Sequence, residues 1–309
     1  MSALTKHLTV HPETVVFATD FSPASYNAGL YASAISMHFH TNLVVAHAFV
    51  LTQAALEVEA EKPLASQQRI NLKHDLTLVA EVLESGKGET EIALLDGDPR
   101  EVISTLAKGS SRALIVLGTH GRGSIDRYVL GSTAEGILQH SIGPALTVGP
   151  NVNILRAGAL NIRRILYATD CSPEAAYAAP VAVALAGAFS AELDVLNVVH
   201  STDAAHAEQL HRLQDYLYAA IETEIPSDAL PACKPRAFVS AGKPPRDILS
   251  HIDEHDIDLL ILGLHRDAFL ELQNRTSRVF PLIVRAKCPV ITVASVSESQ
   301  HSTRGESHK

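Results

Sequence analysis

A glycine-rich loop near the middle of the chain carries the clearest chemical signal. Gly118, Gly121 and Gly123 are followed, after residues 124–130, by the segment Gly131-Ser132-Thr133. The loop follows an apolar run that predicts a strand, and it precedes a stretch that predicts a helix. Backbone N–H groups at glycines and at a helix start can point at an anion, because no side chain shields them. The pattern therefore predicts a site for phosphate oxygens.

Asp20 is the second candidate, because it stands at the carboxyl end of the first predicted strand. Ligands of open parallel sheets bind at that edge, where the strand order reverses. If the first and fourth strands are neighbours, Asp20 and Gly118 face one crevice, where the carboxylate suits a ribose hydroxyl or a water on a phosphate-bound metal. A plainer interpretation makes the glycines turn residues and Asp20 a cap of the next helix. The spacing, the strand-to-helix context and Asp20 together favour the site.

Two charged or titratable side chains lie inside the loop, His120 and Arg122. Either could contact a phosphate and assist hydrolysis. For Arg122 this interpretation and a solvent-facing orientation stay equally open. For His120 the solvent-facing orientation is favoured, because backbone amides bind the anion in this type of loop.

The chain also repeats itself at long range. Residues 14–23 match 164–173, 97–103 match 242–248, 114–118 match 259–263, and 143–148 match 288–293. Because the four pairs keep their order and nearly one spacing, they predict a tandem duplication. We predict domains at residues 1–150 and 162–296, a linker at 151–161 and a disordered tail at 297–309.

Within each half, short apolar runs alternate with helical stretches. This alternation predicts an α/β domain with a five-stranded parallel sheet and helices on both faces. Ser22-Pro23 and Ser172-Pro173 place a capping hydroxyl before a proline, which predicts a helix start. The second helix of the first half is predicted at about 53–84, with a break at Pro63. The predicted strands of that half are 14–19, 42–49, 90–95, 113–118 and 144–149.

Composition excludes several classes of protein. With 309 residues, 46% hydrophobic and 19% charged, the chain suits two globular domains. A net charge of −9 argues against a nucleic-acid partner, and no apolar stretch approaches the roughly 20 residues that cross a bilayer. No signal peptide is recognised at the N-terminus, so a cytoplasmic location is expected.

Cysteines and histidines give no metal or disulfide signal. Three cysteines lack CxxC spacing, which fits a reducing compartment. Cys171 is expected to be a small buried residue rather than an activated thiolate. The sixteen histidines are scattered and are expected to be surface residues rather than metal ligands.

The motifs resemble those of universal stress proteins of the UspA type. Asp20, the Gly-x2-Gly-x9-Gly-Ser spacing at Gly118, Gly121 and Gly131, and the closing strand 144–148 carry the resemblance. It covers both halves, roughly residues 12–150 and 162–296, so the chain is similar to a tandem universal stress protein. The resemblance implies the strand order 3-2-1-4-5 in each half, with ATP at the junction of strands 1 and 4.

Carried over residue by residue, the resemblance implies an adenine-nucleotide site in the first half. Mg²⁺ or Mn²⁺ would sit on the phosphates mostly through water, with no protein metal ligand and no catalytic residue. The implied residues, in order from adenosine through ribose to phosphates, are Ala18, Thr19, Asp20 and Ala48, then Leu117 and Gly118, then Gly121, Arg122, Gly131, Ser132 and Thr133.

The second half departs from this pattern. Gly263 persists, but the counterparts of Gly121 and Gly131 are Arg266 and Thr276. Side chains then stand where a triphosphate should lie, so we expect no ATP binding of the family's kind. His265, Arg266 and Arg275 could form a different anion site in which arginine binds the anion. The favoured interpretation is that these arginines are surface or interface residues above a filled pocket.

Three functions follow from these expectations. The favoured one is an ATP-binding stress-response regulator that binds nucleotide in its first half and hydrolyses it slowly or not at all. The alternatives are a slow ATPase or phosphotransferase, and a stress-induced interaction scaffold with a relic site. Rapid phosphoryl transfer is disfavoured because no GxxxxGK[ST] segment and no kinase signature is present.

The resemblance also implies a mode of assembly. The last strands of the two halves, 144–149 and 289–294, are expected to pair within one chain as a pseudo-dimer, or alternatively between two chains. An exposed apolar strand edge should be covered in some way. A homodimer is a further expectation.

Overall fold

A computed structural model describes residues 11–50, 62–83, 88–110, 112–119, 130–141, 143–155, 160–200, 212, 214–219, 235–264 and 279–294. Strands and helices alternate along most of the chain. The strands are β1 (Thr14–Ala18), β2 (Asn42–Phe49), β3 (Thr90–Asp96), β4 (Ala113–Gly118), β5 (Gly143–Val148), β6 (Arg164–Ala168), β7 (Glu192–His200), β8 (Arg236–Gly242), β9 (Leu259–Leu264) and β10 (Val290–Ala294). The helices are α1 (Pro23–Phe39), α2 (Lys62–Leu83), α3 (Pro99–Lys108), α4 (Ser132–His140), α5 (Pro173–Ala176), α6 (Ala179–Phe189), α7 (Pro244–Glu254) and α8 (Phe280–Arg285).

The ten strands form one sheet in the order β3-β2-β1-β4-β5-β10-β9-β6-β7-β8. Neighbours are parallel within each half, whereas β5 and β10 are antiparallel. Each half therefore has five strands in the order 3-2-1-4-5. The predicted fold class is confirmed.

Prolines set several helix boundaries. Ser22 caps α1 and Pro23 begins it, as the Ser-Pro signal predicts. In the second half, the corresponding stretch is divided into α5 and α6, and Pro180 lies in the first turn of α6, where its missing N–H is tolerated. Pro63 is the second described residue of α2. The predicted helical residues 53–61 lie outside the described residues, so the predicted break at Pro63 stays a prediction.

The helices cover both faces of the sheet. Alternate residues of β1 point to opposite faces, so Val15 and Phe17 pack with α1 residues such as Ile35, while Val16 packs with α4 residues such as Ile137. The buried cluster on each face continues into the second half of the chain. Helix α1, which follows β1, and helix α4, which follows β4, therefore pack on opposite faces of the sheet.

Side chains reinforce the pairing of β5 with β10. Thr147 donates its hydroxyl to the Val290 carbonyl at 3.1 Å, and Thr292 donates to the Ala145 carbonyl at 3.4 Å. Residues 145–148 of β5 and 290–293 of β10 are buried, so each strand covers the other's apolar edge.

Within the described part of the chain, no helix is both long enough and apolar enough to cross a membrane.

Candidate functional site

The turn after β1 holds its shape through short hydrogen bonds. The Thr19 hydroxyl accepts from the Phe21 N–H at 3.0 Å, and a carboxylate oxygen of Asp20 accepts from the Ser22 N–H at 3.0 Å. Phe21 has a φ of 60°, in the left-handed region that side chains rarely adopt. Because Ser22, not Asp20, caps α1 by accepting from the Ser25 N–H, the carboxylate of Asp20 shapes the turn instead of the helix end.

The end of β4 lies beside the end of β1. Ala18 pairs in register with Leu117, and the buried Thr119 follows directly after Gly118. A Cβ at Gly118 would lie 3.0 Å from the Ala24 carbonyl oxygen of α1. The close approach that Gly118 permits is thus between its strand and the helix α1. This close packing alone explains why residue 118 is a glycine, without any ligand.

The first turn of α4 adjoins this edge. The Gly131 N–H donates to the Thr119 carbonyl at 2.9 Å, so this amide is already engaged. The helix has no side-chain hydrogen bond at its N-cap, and its first backbone bond runs from the Glu135 N–H to the Gly131 carbonyl. Ser132 and Thr133 are exposed. Their amides, and not that of Gly131, are placed to donate to an anion at the helix start.

Strand β2 contributes a histidine that the sequence did not single out. His47 Nδ1 lies 2.7 Å from the Thr19 carbonyl oxygen, and because that oxygen can only accept, Nδ1 carries the proton. The His47 ring also packs against Phe21, with centroids 4.6 Å apart. His47 therefore fixes the Thr19 peptide next to Ala48, the residue implied to contact adenine. Its place at the carboxyl end of a strand was a signal that could have identified it.

The structure brings most of the implied nucleotide-binding residues to one edge of the sheet. Ala18, Thr19, Asp20, Ala48, Leu117 and Gly118 lie at the carboxyl ends of β1, β2 and β4, and Gly131, Ser132 and Thr133 start α4. Gly121 and Arg122, together with His120, lie outside the described residues. Arg266 and Thr276, which depart from the glycine pattern in the second half, also lie outside the described residues, as do His265 and Arg275 of the alternative anion site. Nucleotide contact by any of these residues stays a prediction.

The two described cysteines have opposite environments. Cys288 is buried, and burial raises the pKa of its thiol to about 12, so it remains a neutral packing group. Cys171 is exposed, and the expectation that it is buried was wrong. It occupies the position with φ of 60° in the turn that follows the carboxyl end of β6, outside the core.

Comparisons with known proteins place the chain in a family. The model of the universal stress protein family matches residues 12–149 and 161–294. Universal stress protein E of Escherichia coli (strain K12) is 31% identical over 114 residues, which are 37% of this chain and 36% of that protein. The chain is thus aligned with only 36% of the length of this relative. A universal stress protein of Thermus aquaticus, named for the QAH/OAS sulfhydrylase 3'region, is 27% identical over 142 residues, which are 44% of this chain and 98% of that protein.

A solved structure supports the fold over nearly the whole chain. A universal stress protein from Archaeoglobus fulgidus DSM 4304 aligns with a TM-score of 0.69 and 18% identity, covering 93% of this chain and 98% of that one. At this identity the similarity concerns the fold alone.

Proposed function

Because the chain belongs to the universal stress protein family, we propose that it is an ATP-binding stress-response regulator whose first half alone binds the nucleotide. Occupancy of that half would alter its conformation or its choice of partner. Hydrolysis is slow or absent. That the protein acts on a partner protein in response to a stress is part of the same proposal.

One observation carries the proposal. Helix α1 follows β1 and packs on one face of the sheet, whereas α4 follows β4 and packs on the other. The carboxyl ends of β1 and β4 therefore flank a crevice at the point where the strand order reverses, which is where open α/β sheets bind ligands. The glycine loop lies in sequence between β4 and α4, and we propose that it lines this crevice.

The chemistry at this edge suits an anionic ligand with hydroxyl groups. The uncapped start of α4 offers amides and the positive end of a helix dipole. The half-buried carboxylate of Asp20 suits a ribose hydroxyl, and Ala48 offers backbone groups for adenine. These residues fit ATP with Mg²⁺ or Mn²⁺, since such a cation would be held by phosphates and water without a cage of protein ligands.

The same reasoning excludes the second half from the proposal. Its turn after β6 and its Gly263 persist, but Arg266 and Thr276 replace the glycines of the loop. An arginine and a β-branched residue cannot supply the same bare backbone. We propose one adenine nucleotide per chain.

Regulation is preferred to enzymatic turnover for a chemical reason. Fast phosphoryl transfer needs a cation on the γ-phosphate and a group that orients the nucleophile. Of the described titratable groups at this edge, Asp20 and His47 are engaged in holding the turn, and Glu135 in the first turn of α4 accepts a hydrogen bond from the Gln139 side chain. The scaffold with a relic site and the slow ATPase or phosphotransferase remain the alternatives that experiment must separate.

Assembly is part of the proposal. Leu146 and Ile291 correspond in the repeat and pair with each other in antiparallel strands, which supports a local two-fold relation between the two halves. We propose that domains 1–150 and 162–296, joined by the linker 151–161, form an intramolecular pseudo-dimer in the cytoplasm, and that two chains associate as a homodimer. Sedimentation velocity tests the homodimer, and a monomeric mass would overturn it.

Calorimetric titration of the full chain with MgATP tests the proposal, followed by a multiple-turnover assay on the same sample. The regulator predicts saturation at one nucleotide per chain with little release of phosphate. Sustained turnover at one site would favour the slow ATPase. If MgATP in excess produces no heat of binding and no thermal stabilisation, the interaction scaffold with a relic site becomes the favoured function.

A further inference from the structure

A second polar cluster lies at the opposite edge of the sheet, in the second half. Asp194 is the third residue of β7, and His251 and His255 stand one turn apart at the end of α7. One possible ligand atom from each of the three side chains lies within 4.8 Å of the other two. The cluster is at the amino ends of the strands, away from the proposed nucleotide edge. Its occupant is therefore independent of the proposed function.

Asp194 is almost fully buried, at 1% exposure, and each carboxylate oxygen has its own partner. Arg236 Nε donates to Oδ1 at 2.9 Å, while Arg236 Nη2 lies 2.8 Å from the same oxygen without completing a second well-aligned hydrogen bond. His251 Nε2 lies 3.2 Å from Oδ2. Burial alone would raise the pKa of Asp194, but the hydrogen bonds from His251 and Arg236 outweigh it, so the pKa is lowered. Oδ2 is the carboxylate oxygen that faces His251.

The first half shows that the fold does not require this cluster. The position of Asp194 corresponds to Val44 by strand register, and those of His251 and His255 correspond to Leu106 and Ser110 by the repeat. Leu106 packs against the apolar cluster on its face of the sheet. A buried ion pair is often no more stabilising than aliphatic residues at the same place. Packing alone is therefore a weak reason for three ionisable side chains here.

We propose that Asp194, His251 and His255 bind a divalent transition-metal ion, with Zn²⁺ as its representative. Two ligands at about 2.0–2.1 Å in a tetrahedral site are about 3.3 Å apart, which is close to the spacing of Asp194 Oδ2 and His251 Nε2. The half-buried His255 rotates to bring its nitrogen closer, and water completes the coordination. Imidazole and carboxylate ligands suit Zn²⁺ and its neighbours in the first row.

Binding exchanges a proton for the metal. In the present arrangement His251 Nε2 carries the proton that it donates to Asp194, because a carboxylate only accepts. The metal forms a bond to Nε2 and another to Oδ2, and the displaced proton moves to Nδ1 or to solvent. Arg236 stays on Oδ1 and orients the carboxylate, although its charge opposes the cation and limits the affinity.

Aromatic and charged side chains surround the cluster. Phe238 packs edge-on against the His251 ring, with centroids 4.8 Å apart, and the rings of His251 and His255 stack at 4.1 Å. Glu192 lies 3.2 Å from Arg236 and offsets part of its charge. Arg164 is a second cation beside the cluster, because its Nη1 donates to the His255 carbonyl at 2.7 Å and its Nε lies 3.6 Å from Glu192. The charged groups near the cluster among the described residues thus include Arg236, Arg164 and Glu192.

The test is a Zn²⁺ titration of the full chain after treatment with EDTA, followed by calorimetry and by the visible spectrum of the Co²⁺ form. His255→Ser copies the first half at a half-buried position, where folding should survive. Asp194→Val combined with His251→Leu copies the remaining two positions. His74→Ser, at an exposed histidine of α2, is the matched control for adventitious binding.

One saturable Zn²⁺ per chain is expected in the parent and in His74→Ser. His255→Ser should lower the affinity on the order of tenfold or more, and the double variant should abolish binding and the rise in melting temperature with Zn²⁺. Circular dichroism checks that each variant is folded. Absence of saturable binding in the parent, or equal binding by a folded His255→Ser variant, would reduce the cluster to a structural ion pair and overturn the proposal.

Discussion

The turn after β1 and the turn after β6 have the same hydrogen bonds although they differ in sequence. Asp20 accepts from the Ser22 N–H at 3.0 Å, and Asp170 accepts from the Ser172 N–H at the same distance. The residue between them has a φ of 60° in both turns, and is Phe21 in one and Cys171 in the other. The turn is therefore a property of the fold and does not by itself indicate a nucleotide site.

The two turns differ in what surrounds them. Asp20 is half-buried, whereas Asp170 is exposed. The carbonyl of Thr19 faces the His47 ring, while that of Thr169 accepts from the Asn197 side chain at 3.0 Å. Together with the loop glycines, these differences distinguish the first half, which is proposed to bind ATP, from the second half, which is not. Substitutions can test each difference against its counterpart in the other half.

The largest effect is expected for Gly131→Arg. Gly131 has φ of −64° and ψ of 143°, which any residue can adopt, so the variant should fold. Its side chain would cover the start of α4. Loss of even two amide-phosphate bonds, at about 1.5–3 kcal/mol each, lowers ATP affinity on the order of 100-fold or more. Calorimetry with MgATP measures it.

The control for this variant is Gly187→Arg. Gly187 is an exposed glycine of α6 with open space at its Cβ position. It adds the same side chain far from the proposed site, so ATP affinity should stay at the parent value. Equal affinity in Gly131→Arg and Gly187→Arg would remove α4 from the site.

The next effect concerns stability and compares the two strand-end glycines. A Cβ at Gly263 would lie 2.4 Å from the Ala175 carbonyl oxygen, against 3.0 Å between Gly118 and the Ala24 carbonyl oxygen. Gly263→Ala should destabilise the chain by about 1–3 kcal/mol, and Gly118→Ala by less. Urea unfolding followed by circular dichroism gives both values. The reverse order would mean that packing against α1 and α5 does not explain these glycines.

Asp20→Ala and Asp170→Ala form a matched pair with a smaller effect. Each removes one hydrogen bond to a turn amide, so each should lower the free energy of unfolding by about 1 kcal/mol. Only Asp20→Ala should weaken ATP binding, and Asp170→Ala should leave the nucleotide stoichiometry unchanged. A lower stoichiometry in Asp170→Ala would show that the second half binds.

The smallest effect is expected for His47→Asn, which copies Asn197. The amide can donate to the Thr19 carbonyl as Asn197 does to Thr169, so stability should change by less than about 1 kcal/mol. What is lost is the contact between the ring and Phe21. Thermal unfolding compares the variant with His47→Ala, which also loses the hydrogen bond and should be less stable than His47→Asn. Equal stability would show that the hydrogen bond contributes nothing.

Much of the fold could be predicted from the sequence, because the signals are local. Buried parallel strands are continuous apolar runs, and Leu114-Ile115-Val116-Leu117 is one of them, buried throughout. Ser22-Pro23 begins α1 as its chemistry requires. The repeat then predicts the fold of the second half, because four segments of the first half recur there in the same order at nearly one spacing.

What the sequence missed depends on contacts between distant residues. Asp194, Arg236 and His251 lie on three different elements, so sixteen scattered histidines gave no metal signal. Cys171 is exposed because its turn lies beyond the buried carboxyl end of β6, which its flanking residues do not reveal. Gly118 also has a packing role against Ala24 that no motif reveals.

The most direct test of the central claim is the adenine nucleotide content of freshly purified protein. The parent chain, Gly131→Arg and Asp170→Ala are denatured, and the released nucleotide is counted per chain. The account predicts one nucleotide per chain in the parent and in Asp170→Ala, and none in Gly131→Arg. Two per chain, or one that persists in Gly131→Arg, would contradict a single site in the first half.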